Sequence, residues 1–402
     1  MKNVKMLVFL FLGIALLSFT LNIDFDQTIN DNPNVVMAYY VPEKEYAPEN
    51  LPLEQLTHII FSFTNVIDGE MKFRHSENGE KLKQLVAQRE HHSKLKVMIA
   101  CGGWGADGFS DMAHTAENRK KFVSSVIEFN KKYDLDGLDI DWEYPAIPAA
   151  NTGARPEDKQ NFTLLMKELR AGLNTLERKQ TLTFASAGWE RYYKNVEIIE
   201  VMKHVDYMNV MTYDQIGSTS PYTGHHTALG LIKLEHIKDT PAWEFIQSRK
   251  EEMKKRGYTF KPRSVESIVD FCIENGVEPK QIVIGAAFYG RAWKGVPPKN
   301  NGLYQENSGS HIGWSGYNQI RAEFEANKNY NRYWDPVAKA PYLYSAKDSI
   351  FISYDDTVSV RLKTQYALKK KLGGIMFWQL GNDTKEENSL LKAMYDASIK
   401  GQ

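Results

Sequence analysis

Short, almost wholly apolar runs punctuate this chain at 35–40, 56–63, 96–101, 137–142, 181–187, 205–213, 281–289 and 373–379. Their continuity, rather than an in–out alternation, predicts parallel strands buried on both faces. Between them the apolar positions switch to a helical period. Phe162, Leu165, Met166, Leu169 and Leu173 form one stripe, and Val123, Val126, Ile127 and Asn130 another. Thr384 and Glu387 have the spacing of a capping box that opens the last helix. Eight strands alternating with helices predict an α/β fold closed into a (β/α)8 (TIM) barrel, with chemistry at the C-terminal strand ends. An open doubly wound sheet is the other arrangement, but no glycine-rich phosphate turn follows the first run.

One gap is too long for that plan. Between 289 and 373 only 357–372 reads as a crossover helix, while 294–353 is rich in Tyr, Asn and Lys and ends strand-like at 349–354. A loop of that length without structure is rare in a compact domain. A small α+β insertion between strand seven and helix seven is therefore expected at 294–353, with the barrel at 34–293 and 354–400. Ahead of it, Lys2 and Lys5 precede an apolar stretch from Met6 to Leu21. That reads as a secretory signal over 1–20, with an uncleaved membrane anchor as the alternative. Either implies a secreted, periplasmic or cell-surface protein. Cys101 and Cys272, the 2 cysteines, are expected as free buried thiols.

Lys+Arg and Asp+Glu both number 50, so the formal net charge is zero. A nucleic-acid partner would call for a basic excess. Aromatic residues reach 12%, which suits a neutral ligand with stackable faces and equally well a packed core.

The segment Asp136-Gly-Leu-Asp139-Ile-Asp141-Trp-Glu143 changes the picture. Strand side chains alternate faces, so Asp139, Asp141 and Glu143 point the same way. In a barrel they form a column rising toward the open end. Three carboxylates so close cannot all ionise cheaply, and one that keeps its proton near neutrality can serve as a general acid. A solvated acidic edge does not fit a run bracketed by apolar residues. A divalent-metal site would recruit His or further carboxylates, and the other strand ends offer only Asp214. No metal or cofactor is expected. Asp136 lies off the shared face and reads as structural, and adjacent His225 and His226 read as a solvated loop pair.

Asp136-x-x-Asp139-x-Asp141-x-Glu143 resembles the signature of glycoside hydrolase family 18, the chitinases, and the likeness extends from about 34 to 397. Gly102-Gly103-Trp104, Met211-Thr212-Tyr213-Asp214, Tyr289-Gly290-Arg291 and Trp378 match further strand-end motifs of that family. The resemblance implies a retaining hydrolase of β-1,4-linked N-acetylglucosamine that relies on the substrate's own acetamido group. Glu143 would be the general acid and base. Asp141 would orient the acetamido N–H and share a proton with Asp139, and Tyr213 would bind the acetamido oxygen. Trp378 would floor the −1 subsite, Trp104 would stack at +1, and Tyr39 and Phe63 would close the wall. Met211 and Asp214 would shape the acetamido pocket, and Tyr289 and Arg291 would meet sugar hydroxyls. The partner implied is chitin or a chitooligosaccharide, and the protein is expected to act as a monomer.

Three departures stand out. The family's strand-three serine is Ala100 here, followed by Cys101, which puts the tuning of Asp139 in doubt. No Trp follows Tyr213-Asp214 within five residues, and 41–45 offer no aromatic, so soluble oligosaccharides are favoured over processive attack on crystalline chitin. An endo-β-N-acetylglucosaminidase acting on the chitobiose core of N-glycans shares the acidic motif but usually lacks the insertion. A non-catalytic chitin-binding lectin would have replaced Glu143.

Overall fold

A computed structural model describes residues 34–42, 47–255, 257 and 259–400, excepting the side chains of 312–314 and 400. The secretory leader expected over 1–20 lies outside them. The eight apolar runs all form strands: β1 (Val35–Tyr40), β2 (His58–Ile67), β3 (Lys96–Gly102), β4 (Gly137–Asp141), β5 (Thr181–Ala187), β6 (Tyr207–Met211), β7 (Ile282–Ala287) and β8 (Gly374–Trp378). They pair in parallel in sequence order, and β8 returns to β1 in parallel register, Val35 opposite Gly374, so the sheet closes. This is the TIM barrel expected from the alternation.

Strand parity decides what faces inward. Val35, Met37, Tyr39, Ile60, Met98, Ala100, Val283 and Met376 fill the barrel's interior. Leu138 and Ile140 of β4 belong to the outer core against the helices, which leaves Asp139 and Asp141 pointing in. The helix Asp158–Leu173 buries its stripe of Phe162, Leu165, Met166, Leu169 and Leu173, as its 3.6-residue period requires. The final helix, Leu390–Lys400, starts later than the Thr384–Glu387 spacing suggested. Its first turn is held by the Asp383 carboxylate, which accepts from the amides of Leu390 and Leu391 at 2.9 and 3.0 Å.

After β7 the chain builds a second, antiparallel sheet of five strands in the order Ser310–Gly316, Tyr289–Lys294, Ile350–Ser353, Ala340–Ser345 and Asn331–Asp335. Trp293, Val296, Leu303, Tyr342, Tyr344 and Phe351 pack its own small core. The strand Tyr289–Lys294 belongs to this sheet, not to the end of β7. It pairs with Ile350–Ser353, so the chain enters and leaves the lobe on neighbouring strands. At the exit a buried ion pair, Lys363 Nζ to Asp355 Oδ2 at 2.6 Å, ties the following helix, Thr357–Lys369, to the barrel. The same Asp355 oxygen accepts from Thr227 Oγ1 at 3.0 Å and from the amide of Ala287 at the end of β7 at 3.1 Å.

Candidate active site

Asp139 sits fully buried inside the barrel with both carboxylate oxygens occupied. Tyr39 donates to Oδ2 at 2.9 Å, while Thr183 and Asn209 donate to Oδ1 at 2.5 and 3.2 Å. Ala100 lies beside Asp139 across the β3–β4 register, where the missing serine hydroxyl would have stood. Thr183 flanks Asp139 on the other side, in register on β5. Burial still pushes Asp139 up to about 6, with the three donors pulling against it.

Asp141 is the next step of the column, and its Oδ1 is buried without a hydrogen-bond partner. Burial raises its affinity for a proton well above that of an ordinary aspartate, and the charges of Glu143 and Asp139 add to the effect. Gly102 makes this approach possible: with φ at +125°, a Cβ there would stand 2.0 Å from the Asp141 carbonyl oxygen. Glu143 caps the column, half-buried. Burial lifts it to about 7, opposed by the interaction with Tyr144 and reinforced by the charge of Asp214. A protonated acid at the mouth of the barrel is thus available near neutral pH.

Tyr213 and Asp214 leave the end of β6. The Tyr213 ring fits because Gly285 faces it, where a Cβ would lie 2.8 Å from Cε1. Its phenol is held firmly protonated by burial and by the charges of Asp141 and Glu143. Asp214 adopts a left-handed φ of 52°. Two groups of the second sheet grip it: Tyr289 OH donates to Oδ2 at 2.9 Å, and Arg291 Nη2 approaches Oδ1 at 2.7 Å. Burial works against its charge, but His226 and Arg291 outweigh it and hold Asp214 down to about 2. Trp378 stacks on Phe63 with centroids 5.5 Å apart and planes 21° apart, and lies 6.0 Å from the Tyr39 ring. Met211 packs half-buried on the same inner cluster. The peptide bonds Ser62–Phe63, Glu143–Tyr144 and Trp378–Gln379 are cis. Trp104 stands apart on the rim, 67% exposed, with its ring 6.5 Å from that of Tyr144.

The two histidines are not solvated. His226 is fully buried, its Nε2 3.2 Å from the Tyr289 carbonyl oxygen and its Nδ1 3.7 Å from Asp214 Oδ1. His225 is buried against Asp335 of the lobe, at 3.1 Å. Both are packed between the post-β6 loop and the second sheet, a contact that a loop sequence does not disclose. Asp136 lies below the column, where its Oδ2 accepts from Arg89 at 2.9 Å and from the Val97 amide at 2.8 Å. Cys101 and Cys272 are free and buried. Among the described residues no cluster of His, Cys, Asp and Glu could hold a metal ion, and no helix is long and apolar enough to cross a membrane.

Thr183, Asn209 and Tyr144 were not singled out in the sequence. Thr183 and Asn209 did carry a signal, since each is a polar side chain in mid-strand, and Asn209 has the inward parity of Met211 and Tyr213. Tyr144 adds to the rim an aromatic group with Trp189 and Tyr192, at ring distances of 5.5 and 5.9 Å.

The model of the family described as glycosyl hydrolases family 18 matches residues 35–383. Chitinase A1 of Niallia circulans is 36% identical over 325 residues, 78% of this chain and 44% of that protein. The chain thus spans less than half of that relative's length. Chitinase B of Serratia marcescens is 29% identical over 394 residues, covering 84% of this chain and 75% of the relative. Among solved structures, a family 18 N-acetylglucosaminidase from Paenibacillus barengoltzii superposes with a TM-score of 0.78 at 35% identity, over 90% of this chain and 99% of that one.

Proposed function

The chain belongs to family 18 of the glycosyl hydrolases, and from that premise we propose that it hydrolyses β-1,4 linkages between N-acetylglucosamine units of chitin or chitooligosaccharides, with retention of configuration. The observation that carries this reading is the buried column ending in Glu143, lifted to about 7 so that its carboxyl holds a proton under ordinary conditions. Glu143 gives that proton to the glycosidic oxygen as the bond to the anomeric carbon breaks. The carbonyl oxygen of the −1 acetamido group attacks the same carbon, and the ring so formed is an oxazolinium ion. Asp141, whose Oδ1 has no protein partner, accepts from the acetamido N–H and offsets the positive charge. Tyr213 donates to the acetamido oxygen. Glu143, now a base, takes a proton from water as the water opens the ring and restores the acid.

Trp378 floors the −1 subsite, with Tyr39 and Phe63 beside it and Met211 at the acetamido pocket, and Trp104 stacks at +1. Asp214 shapes the acetamido pocket with Met211, and Tyr289 and Arg291 meet sugar hydroxyls from the side where the lobe, expected over 294–353, walls the groove. The names of both curated relatives, chitinases, support the substrate class. Export through the leader, action as a monomer and independence from metal complete the proposal.

The decisive experiment sets fully acetylated chitohexaose beside its deacetylated counterpart and a high-mannose glycopeptide. Cleavage of the acetylated chain alone is expected, and its products distinguish release of single sugars from mid-chain cuts. Equal rates on the deacetylated chain would exclude acetamido participation. Cleavage of the glycopeptide alone would favour the N-glycan reading, and binding without turnover the lectin.

A further inference from the structure

Strand β2 runs on beyond the barrel as a hairpin, Asn65–Ile67 pairing antiparallel with Glu70–Lys72. The chain leaving that hairpin brings Arg74 and His75 back beside the glycine-rich rim that follows β3. Between hairpin and rim lies a cavity of about 280 Å³. It shares Phe63 and Trp104 with the proposed sugar-stacking surface and adds Asn65, Arg74, His75 and Asn78. A second cavity, of about 250 Å³ on the lobe, offers a useful contrast. Its polar lining is already used: Asp335 accepts from His225, Tyr304 and two backbone amides, and Asn300 donates to the Leu303 carbonyl. In the cavity beside β3, the side chains of Arg74, His75 and Asn78 make no hydrogen bond or ion pair with any described residue.

We infer that this cavity is a subsite for a carboxylate-bearing substituent on the glycan, gripped by the Arg74 guanidinium with Asn78 and His75 alongside. The planar fork of an arginine matches a carboxylate with two parallel hydrogen bonds, and that pairing adds a charge attraction that a neutral acetamido or hydroxyl group does not supply. The adjoining groove carries Asp139, Asp141, Glu143 and Asp214. The charged fraction of those carboxylates repels an anionic sugar, and a neighbouring cation offsets that repulsion. Arg74 is such a cation, and it makes no ion pair with Glu77, three residues along the chain. Phe63 and Trp104 line both this cavity and the proposed sugar-stacking surface, so a sugar on that surface adjoins the subsite.

The inference rests on the glycosidase reading of the neighbouring groove. Its test compares kcat/KM for an acetylated chitotetraose with that for the same tetramer carrying a lactyl ether on one sugar, in the intact protein. Arg74→Ala should lower the ratio of lactylated to plain rates about tenfold. Arg74→Glu should lower it further, and Arg74→Lys should restore part of it. Raising the salt concentration should shrink the wild-type ratio but not that of Arg74→Ala. Equal losses on both substrates, or a ratio indifferent to residue 74, would overturn the subsite. If neither tetramer is cleaved, the glycosidase reading fails. Calorimetric binding of the two tetramers to wild type and Arg74→Ala then decides the subsite separately, with a tenfold weaker hold on the lactylated ligand alone supporting it and unchanged binding refuting it.

Discussion

Replacing Glu143 by glutamine should make the folded chain more stable at the same time as it stops hydrolysis. Folded, Glu143 holds its proton up to about pH 7 because burial disfavours its charge, whereas its ordinary value is 4.5. Between those values the native state binds a proton that the unfolded chain has released. Wild-type stability therefore falls as pH rises from about 4.5 to 7, then levels off. At about 1.4 kcal/mol per tenfold change in proton affinity, the accumulated penalty is about 3 kcal/mol. Glutamine keeps the shape and cannot ionise, so Glu143→Gln escapes the penalty. Asp141, relieved of its neighbour's charge, gains as well. Urea unfolding of both proteins from pH 4 to 8.5 should show curves that nearly meet at the acid end and diverge to about 3 kcal/mol by pH 8. A difference that does not vary with pH, or a variant less stable than wild type at pH 8, would refute the claim that burial lifts this group.

The remaining expectations concern neighbouring parts of the molecule. Asn209→Leu removes a buried donor to Asp139 and should cost about 1.5–3 kcal/mol at pH 8. Because Asp139 takes its proton at about 6, the cost should shrink at pH 5, and parallel denaturation curves at the two pH values would show it. Lys363→Met strands Asp355 as an unpaired buried charge and should destabilise by about 3–5 kcal/mol, while adding Asp355→Asn, which drops the charge and keeps an acceptor for Thr227 and the Ala287 amide, should recover part of the loss. Trp104→Ala should leave the melting temperature unchanged, since the side chain is 67% exposed. It should weaken binding of oligosaccharides that reach the acceptor side by about 1 kcal/mol, read as a several-fold rise in KM.

The barrel was legible because its strands are buried on both faces and so read as continuous apolar runs, and all eight runs became strands. The inward facing of Asp139 and Asp141 was legible because period-two spacing in a strand fixes facing without any knowledge of the rest of the fold, whereas Glu143 lies two residues past the end of β4. What escaped was information carried by partners distant in sequence. Thr183 and Asn209 lie 44 and 70 residues from the Asp139 they hold, and no local pattern announces that pairing. His225 and His226 looked solvated because their loop is polar, yet the lobe covers them. Tyr289 and Arg291 looked like the top of β7, since the apolar run 281–289 ends on Tyr289. They instead open the second sheet, whose hydrogen bonds run to Ile350–Ser353.

That pairing has a consequence for how the molecule can change. Arg291 lies opposite Ser353, so the chain returns from its long excursion to the place where it left. To the barrel, the whole lobe is one closed loop, and the entropy of closing a loop grows only with the logarithm of its length. Residues can be added, lost or exchanged within it at little expense to the register of the eight strands. Yet its first strand delivers Tyr289 and Arg291 onto Asp214. Lengthening or reshaping the excursion therefore moves the partners of Asp214 while Asp139 and Asp141 stay where β4 puts them, so one side of the candidate site can vary as the other is held by the barrel.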